Sequence, residues 1–137
     1  MKRLFVDTNI VIDLLDKRAP FWDSAARLFA MAYYKQVELV IAPVTYTTAS
    51  FLLEKKNNRE SVRKNLAYLR QLSHVALIDE PIVDKAITSQ FDDFEDAVQY
   101  YAALKAQADV IITRNGKDFI HSKLPVMTAG QYLAYLQ

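Results

Sequence analysis

Short apolar runs rich in β-branched residues alternate along this chain with longer stretches whose apolar residues recur at helical spacing. Leu4 to Val6 reads as a first strand, followed without a gap by Asp7-Thr8-Asn9. Ile10 to Leu15 predicts a first helix. Pro20 opens a second, in which Trp22, Ala25, Ala26, Leu28, Phe29 and Ala32 keep helical spacing. Val37 to Ile41 is a second strand, ended by Ala42-Pro43, and Thr45 or Thr47 is placed to cap a helix through Phe51, Leu52 and Leu53. Asn57-Asn58 interrupts that helix. Ser61 to Leu72 predicts the next, with Val62, Leu66, Leu69 and Leu72 turned inward.

Val75 to Ile78 predicts a third strand, and Pro81 suits the first turn of a helix over Ile82 to Ile87. The acidic segment Asp92-Asp93-Phe94-Glu95-Asp96 precedes or opens a helix over Ala97 to Ala106. Val110 to Thr113 is a fourth strand, Pro125 to Met127 a brief fifth, and Thr128 caps a last helix ending in Tyr132 to Leu136. Alternating strands and helices predict a three-layer α/β/α fold with a mainly parallel central sheet of four to five strands. The strands lack clean polar alternation, as expected when helices cover both faces. Neither repeat nor linker is visible, so residues 1–137 read as a single domain. In such sheets ligands bind beyond the carboxyl ends of the strands, which directs attention to the residues after Val6, Ile41, Ile78 and Ile112.

Composition narrows the chemistry. With 52% hydrophobic residues, 24% charged residues and two glycines, the chain is globular. The absence of cysteine excludes disulfides, thiolate metal sites and cysteine nucleophiles. No apolar run is long enough to span a bilayer, and Asp7 interrupts the start where a signal peptide needs apolar residues, so the expected address is the cytoplasm. The net charge of +1 lacks the basic excess of a protein that binds nucleic acid by its own charge. A polyanion would have to be met through a local basic patch, a bound cation or a partner.

Three segments carry candidate chemistry. Asp7 ends a buried strand, where a carboxylate is costly unless paired or metal-bound; its structural alternative is a turn in which Thr8 or Asn9 caps the next helix. The group Asp92, Asp93, Glu95 and Asp96 favours a helix N-terminus, yet so many acids repel one another unless a cation sits among them. The segment Thr113-Arg114-Asn115-Gly116-Lys117-Asp118-Phe119 reads either as an Asn-Gly turn or as a polar strand end presenting Thr113, Asn115 and Asp118. An all-oxygen set of this kind suits Mg²⁺ or Mn²⁺, not zinc. His74 and His121 read as surface or strand-edge residues. The tyrosines at positions 33, 34, 100, 101, 132 and 135 read as core or subunit contacts before base-stacking groups. Asp7 as a phosphoryl-accepting nucleophile is disfavoured, because Asn9 stands where such enzymes carry a second acid.

Taken in order, VDTNIVIDLL, DFEDAVQYYAAL and IITRNGKDF resemble the PIN-domain family, and most closely its small bacterial VapC-like members. The resemblance implies a Mg²⁺- or Mn²⁺-dependent endoribonuclease, usually the toxin of a toxin–antitoxin pair, with RNA as substrate, an antitoxin partner and a homodimer. Position by position, Asp7, Asp96 and Asp118 match the family's metal-binding acids. Thr8, Asn9, Thr113 and Asn115 match their polar neighbours, and Asp93 supplements the group. One departure stands out. The family's glutamate in the helix after the second strand falls at Thr48, and Glu54 lies about 240° further round that helix. A catalytically impaired, PIN-like binding protein is therefore the alternative to an active enzyme.

Overall fold

In the computed structural model, which describes residues 1–136, the sheet is built from β1 (Lys2–Val6), β2 (Val37–Ile41), β3 (His74–Val75), β4 (Val110–Ile112) and β5 (Val126–Met127). Its order is β3-β2-β1-β4-β5, and every pair is parallel. The helices are α1 (Thr8–Leu15), α2 (Trp22–Tyr33), α3 (Pro43–Leu53), α4 (Arg59–Gln71), α5 (Glu80–Ile87), α6 (Phe94–Lys105) and α7 (Ala129–Tyr135), with a short 3-10 turn at Gly116–Phe119. Among these helices none is long and apolar enough to cross a membrane.

The strands lack polar alternation because they alternate between two cores. Leu4 and Val6 of β1, Leu39 and Ile41 of β2, and Val110 and Ile112 of β4 face a cluster completed by α1, α2, α3, α4 and α7. Phe5, Val40 and Ile111 face the opposite way, into a cluster completed by Ile82 of α5, Tyr100, Ala102 and Ala103 of α6, and Phe119. The period of two is therefore intact, with both faces covered by helices. That is the three-layer arrangement predicted from the sequence.

Several boundaries differ from expectation for local reasons. Pro43 itself begins α3, since proline has no N–H to lose at a first helical position. Thr45 and Thr47 therefore lie inside the helix: Thr45 is buried, and the Thr47 hydroxyl donates to the Val44 carbonyl oxygen at 2.8 Å. β3 is only His74–Val75 and both residues are exposed; beyond it Leu77 is 63% exposed, so the apolar run to Ile78 does not mark a core strand. α4 begins two residues early because Asn58 accepts from the Ser61 amide at 2.8 Å. α6 begins at Phe94 because Asp93 caps it. Of the tyrosines, Tyr100 and Tyr132 are buried, whereas Tyr33, Tyr34 and Tyr135 are exposed.

From β1 the chain moves outward to β2 and β3, then crosses back to place β4 on the other side of β1. The connections leaving β1 and β4 thus diverge, and a crevice opens beyond the carboxyl ends of these two strands. Val6 pairs with Ile112, so Asp7 and Thr113 emerge side by side at that crevice.

Candidate active site

Asp7 is 5% exposed and fixed through both carboxylate oxygens. Its backbone N–H donates to the Ile112 carbonyl oxygen at 2.9 Å, which continues the β1–β4 pairing up to the site. Oδ1 accepts from the Thr8 amide at 2.7 Å, which makes Asp7 the N-cap of α1. Oδ2 accepts from the Thr113 hydroxyl at 2.7 Å and from Nδ2 of Asn9 at 3.3 Å. Asn9 also reaches Thr113 Oγ1 at 3.3 Å, and its Oδ1 accepts from the Arg114 amide at 3.2 Å. The Asn115 amide in turn donates to Thr113 Oγ1 at 3.1 Å. Thr8 turns the other way, its hydroxyl 2.7 Å from that of Thr45 on α3. The cap of α1 is thus Asp7 itself and not Thr8 or Asn9, because its carboxylate reaches the Thr8 amide, and that carboxylate lies buried at the carboxyl end of β1.

No cationic side chain is among the groups acting on this carboxylate. Burial pushes the Asp7 pKa up; hydrogen bonds from Thr113, Thr8 and Gln99 oppose that, and Asp118 adds repulsion. Asp96, half-buried in the first turn of α6, is pushed up to about 7, by desolvation first and then by Asp7, Asp93, Asp118 and Glu95. Glu95 is raised as well, by desolvation, Asp93 and Asp7. Remote acids from β1, α6 and the 3-10 turn therefore share one negative region. Among the described residues, however, no three Asp, Glu, His or Cys side chains are spaced to hold a metal ion as they stand.

Asp93 takes the capping role that the helix-dipole alternative gave it: its Oδ1 accepts from the Asp96 amide at 3.0 Å. Asp118 is exposed within the 3-10 turn that replaces a plain Asn-Gly turn. Thr48 is half-buried on α3, one turn beyond Thr45, while Glu54 is exposed at the end of that helix and is absent from the groups acting on Asp7. His74 is exposed on the edge strand β3, and exposed His121 packs edge-on against Phe91.

Two features escaped the sequence reading. Asp13, fully buried on α1, pairs with both sides of the Arg114 guanidinium, at 2.6 Å to Nε and 3.1 Å to Nη2, and that guanidinium lies 4.0 Å from the centre of the Phe21 ring. A carboxylate inside the apolar run Ile10-Val11-Ile12-Asp13-Leu14-Leu15 was the available signal, since such a group requires a partner. Gln99 is 1% exposed, donates to Glu95 Oε1 at 3.3 Å, and leaves its own Oε1 buried without a partner. Such an orphaned oxygen costs about 1–3 kcal/mol, and only its place in the fold reveals it.

The fold and these acids, after β1, on α6 and in the 3-10 turn, coincide with a family match. The sequence-family model described as PIN domain matches residues 3–117. The chain belongs to the PIN-domain family. Its fold is similar to that of a Klebsiella pneumoniae toxin–antitoxin complex chain, at TM-score 0.67 and 22% identity over 92% of this chain and 97% of that one. It is similar also to a chain of VapBC2 from Rickettsia felis bound to a promoter DNA fragment, at TM-score 0.67 and 13% identity over 91% and 96% of the two chains. VapC20 of Mycobacterium tuberculosis, a toxin that cleaves the sarcin–ricin loop, matches at TM-score 0.62 and 16% identity over 79% and 86%. No match was found among curated protein sequences.

Proposed function

We propose that the chain is a divalent-metal-dependent endoribonuclease, the toxin component of a toxin–antitoxin pair. The observation that carries this reading is Asp7: a buried carboxylate, fixed by Thr8, Asn9 and Thr113, at the crevice of a parallel sheet, within the repulsive influence of Asp96 and Asp118 and with no cationic side chain acting on it. A fold that gathers like charges in this way stores repulsion that a hard divalent cation relieves. Asp7, Asp96 and Asp118 are the residues that would hold Mg²⁺ or Mn²⁺. When bound, the ion would acidify a water and stabilise charge on the phosphate.

The protein's own groups supply the rest. Thr113 and Asn9 hold the Asp7 carboxylate in one orientation, so it need not be ordered on binding. A carboxylate of the cluster would accept the proton released as the water oxygen bonds to phosphorus and the P–O bond to the departing ribose oxygen breaks. Thr8 and Asn115 contribute through their backbone amides, to Asp7 and to the Thr113 hydroxyl, and Thr48 stands where the family's helix glutamate would. An acidic pocket draws in phosphate only when loaded with a cation, which reconciles the site with a net charge of +1. The exposed cations Lys55, Lys56, Arg59, Arg63 and Lys64, at the end of α3 and along α4, support contact with an RNA backbone. Exposed Phe51 and Tyr68 on the same pair of helices support a homodimer or antitoxin contact. Residues 1–137 act as one nuclease domain in this reading, with the cytoplasm as its setting.

Cleavage of defined RNA substrates with Mg²⁺ or Mn²⁺, and its loss on chelation, tests the proposal. Asp7→Asn and Asp96→Asn are expected to abolish cleavage; activity that survives both belongs to a contaminant and overturns the assignment. Thr48 favours a second reading, a binding protein with an impaired site. Wild-type protein that binds RNA or an antitoxin but cleaves with neither ion would select it.

A further inference from the structure

The proposed site lacks a carboxylate on α3, where Thr48 stands, and has one unexplained on α6, where Glu95 stands. Thr48 lies one turn beyond Thr45, whose hydroxyl meets that of Thr8 at 2.7 Å. Glu95 sits in the first turn of α6, directly before Asp96. An acid there is ordinarily explained by attraction to the helix N-terminus, a role that needs no contact with the protein interior. Glu95 makes such a contact. Its Oε1 accepts from Nε2 of Gln99 at 3.3 Å, and Gln99 is 1% exposed. Glu95, at an otherwise exposed position, is thereby tied to a buried side chain, and Asp93 and Asp7 act on it.

Gln99 provides an independent observation. It is bonded to Glu95 and is also among the groups that favour the ionised Asp7 carboxylate, so one buried side chain neighbours both the acid after β1 and that on α6. With the donor end of the amide engaged by Glu95, its oxygen is left buried and unpartnered. A buried carbonyl oxygen without a donor calls for explanation, and amide oxygens are ordinary ligands of hard divalent ions. The neighbourhood thus offers one carboxylate beyond Asp7, Asp96 and Asp118, together with a buried amide that positions it.

We propose that Glu95, braced by the buried amide of Gln99, is a ligand for a divalent cation and stands in for the glutamate that α3 lacks. The inference rests on the metal-dependent reading of the site. It commits to an all-oxygen ligand set drawn more from α6 than from α3, and it assigns Gln99 a positioning role.

Mn²⁺ titration of the full-length protein, followed through the electron paramagnetic resonance signal of the free ion, tests this without recourse to activity. Glu95→Gln is expected to weaken Mn²⁺ binding by about tenfold or more. Asp92→Asn removes the same charge from an exposed position in the same segment and is expected to change affinity by less than about twofold, because exposed charges are screened. Adding Thr48→Glu to Glu95→Gln is expected to recover most of the loss. Gln99→Met, which keeps volume but not the amide, is expected to weaken binding without lowering the thermal midpoint. Wild-type affinity in Glu95→Gln, alongside lost binding in Asp7→Asn, overturns the role of Glu95 and leaves the metal site standing. Equal weakening by Asp92→Asn and Glu95→Gln also overturns it, by reducing the effect to net charge. A double variant no better than Glu95→Gln overturns the exchange between α3 and α6. Wild-type protein that binds no Mn²⁺ overturns the metal site and the role of Glu95 together.

Discussion

Two aspartates on successive turns of one segment are buried in opposite ways. Asp13 is fully buried and answered by a bidentate Arg114, itself stacked on Phe21. Asp7 is 5% exposed and answered only by neutral donors, with further acids around it. The first arrangement joins α1 to the segment after β4 and is complete in itself. The second holds a carboxylate in place with no cationic side chain acting on it. A buried charge with its counterion marks architecture; a buried charge without one, at the switch point of a parallel sheet, marks a site.

The largest effect should come from breaking the complete pair. Arg114→Ala leaves Asp13 buried and uncompensated and should cost about 3–5 kcal/mol in denaturant unfolding. Replacing both partners by apolar residues, Asp13→Leu with Arg114→Met, should recover much of that loss. A double variant as unstable as the single one would mean that the pair does more than neutralise itself.

The incomplete site should respond to ions instead. Mn²⁺ at about a hundred times its dissociation constant should stabilise the wild-type protein by about 2.7 kcal/mol. Asp7→Asn and Asp96→Asn should remove that gain. Thermal unfolding with and without Mn²⁺ measures both, and equal stabilisation of all three proteins would erase the distinction between Asp7 and Asp13.

The next effect concerns pH. The carboxyl of Asp96, pushed up to about 7 by desolvation and by Asp7, binds its proton more tightly in the folded protein than in the unfolded chain. Its contribution is therefore fully present below the ordinary carboxylate range and is lost as pH rises through about 7. Metal-free protein should have a lower thermal midpoint at pH 8 than at pH 5, and Asp96→Asn should flatten that slope. Mn²⁺ should act in the opposite direction, binding more tightly as the acids ionise. An unchanged slope in Asp96→Asn would remove Asp96 from the charged cluster.

The smallest effect separates capping from ligation. Asp93→Ala should cost about 1 kcal/mol through loss of the bond to the Asp96 amide, whereas Asp93→Asn should keep the cap. Mn²⁺ affinity retained in Asp93→Asn would confine Asp93 to capping; affinity lost there would make it a ligand as well.

How much of this was legible in the sequence follows from the range of each interaction. β1, β2 and β4 were readable because an apolar run covered on both faces declares itself in a few residues, and the acids were readable as departures from apolar surroundings. β3 was overread, since an edge strand shares its composition with an exposed apolar connection such as Leu77. The Asp13–Arg114 pair spans 101 positions and exists only because β4 lies beside β1. Gln99 carried no local signal at all: an amide within a helix is ordinary until packing buries it and leaves its oxygen without a donor. Asp93 and Asp96 could be seen together in the sequence, but their division into cap and pocket acid required knowing where α6 begins.

A crystal structure of the protein soaked with Mn²⁺, read through the metal's anomalous scattering, addresses the central claim most directly. The account predicts anomalous density among the carboxylates of Asp7, Asp96 and Asp118, with those side chains drawn inward and the Asp13–Arg114 pair unchanged. Ion-free density at that crevice under saturating Mn²⁺, or an ion bound elsewhere on the protein, would contradict it.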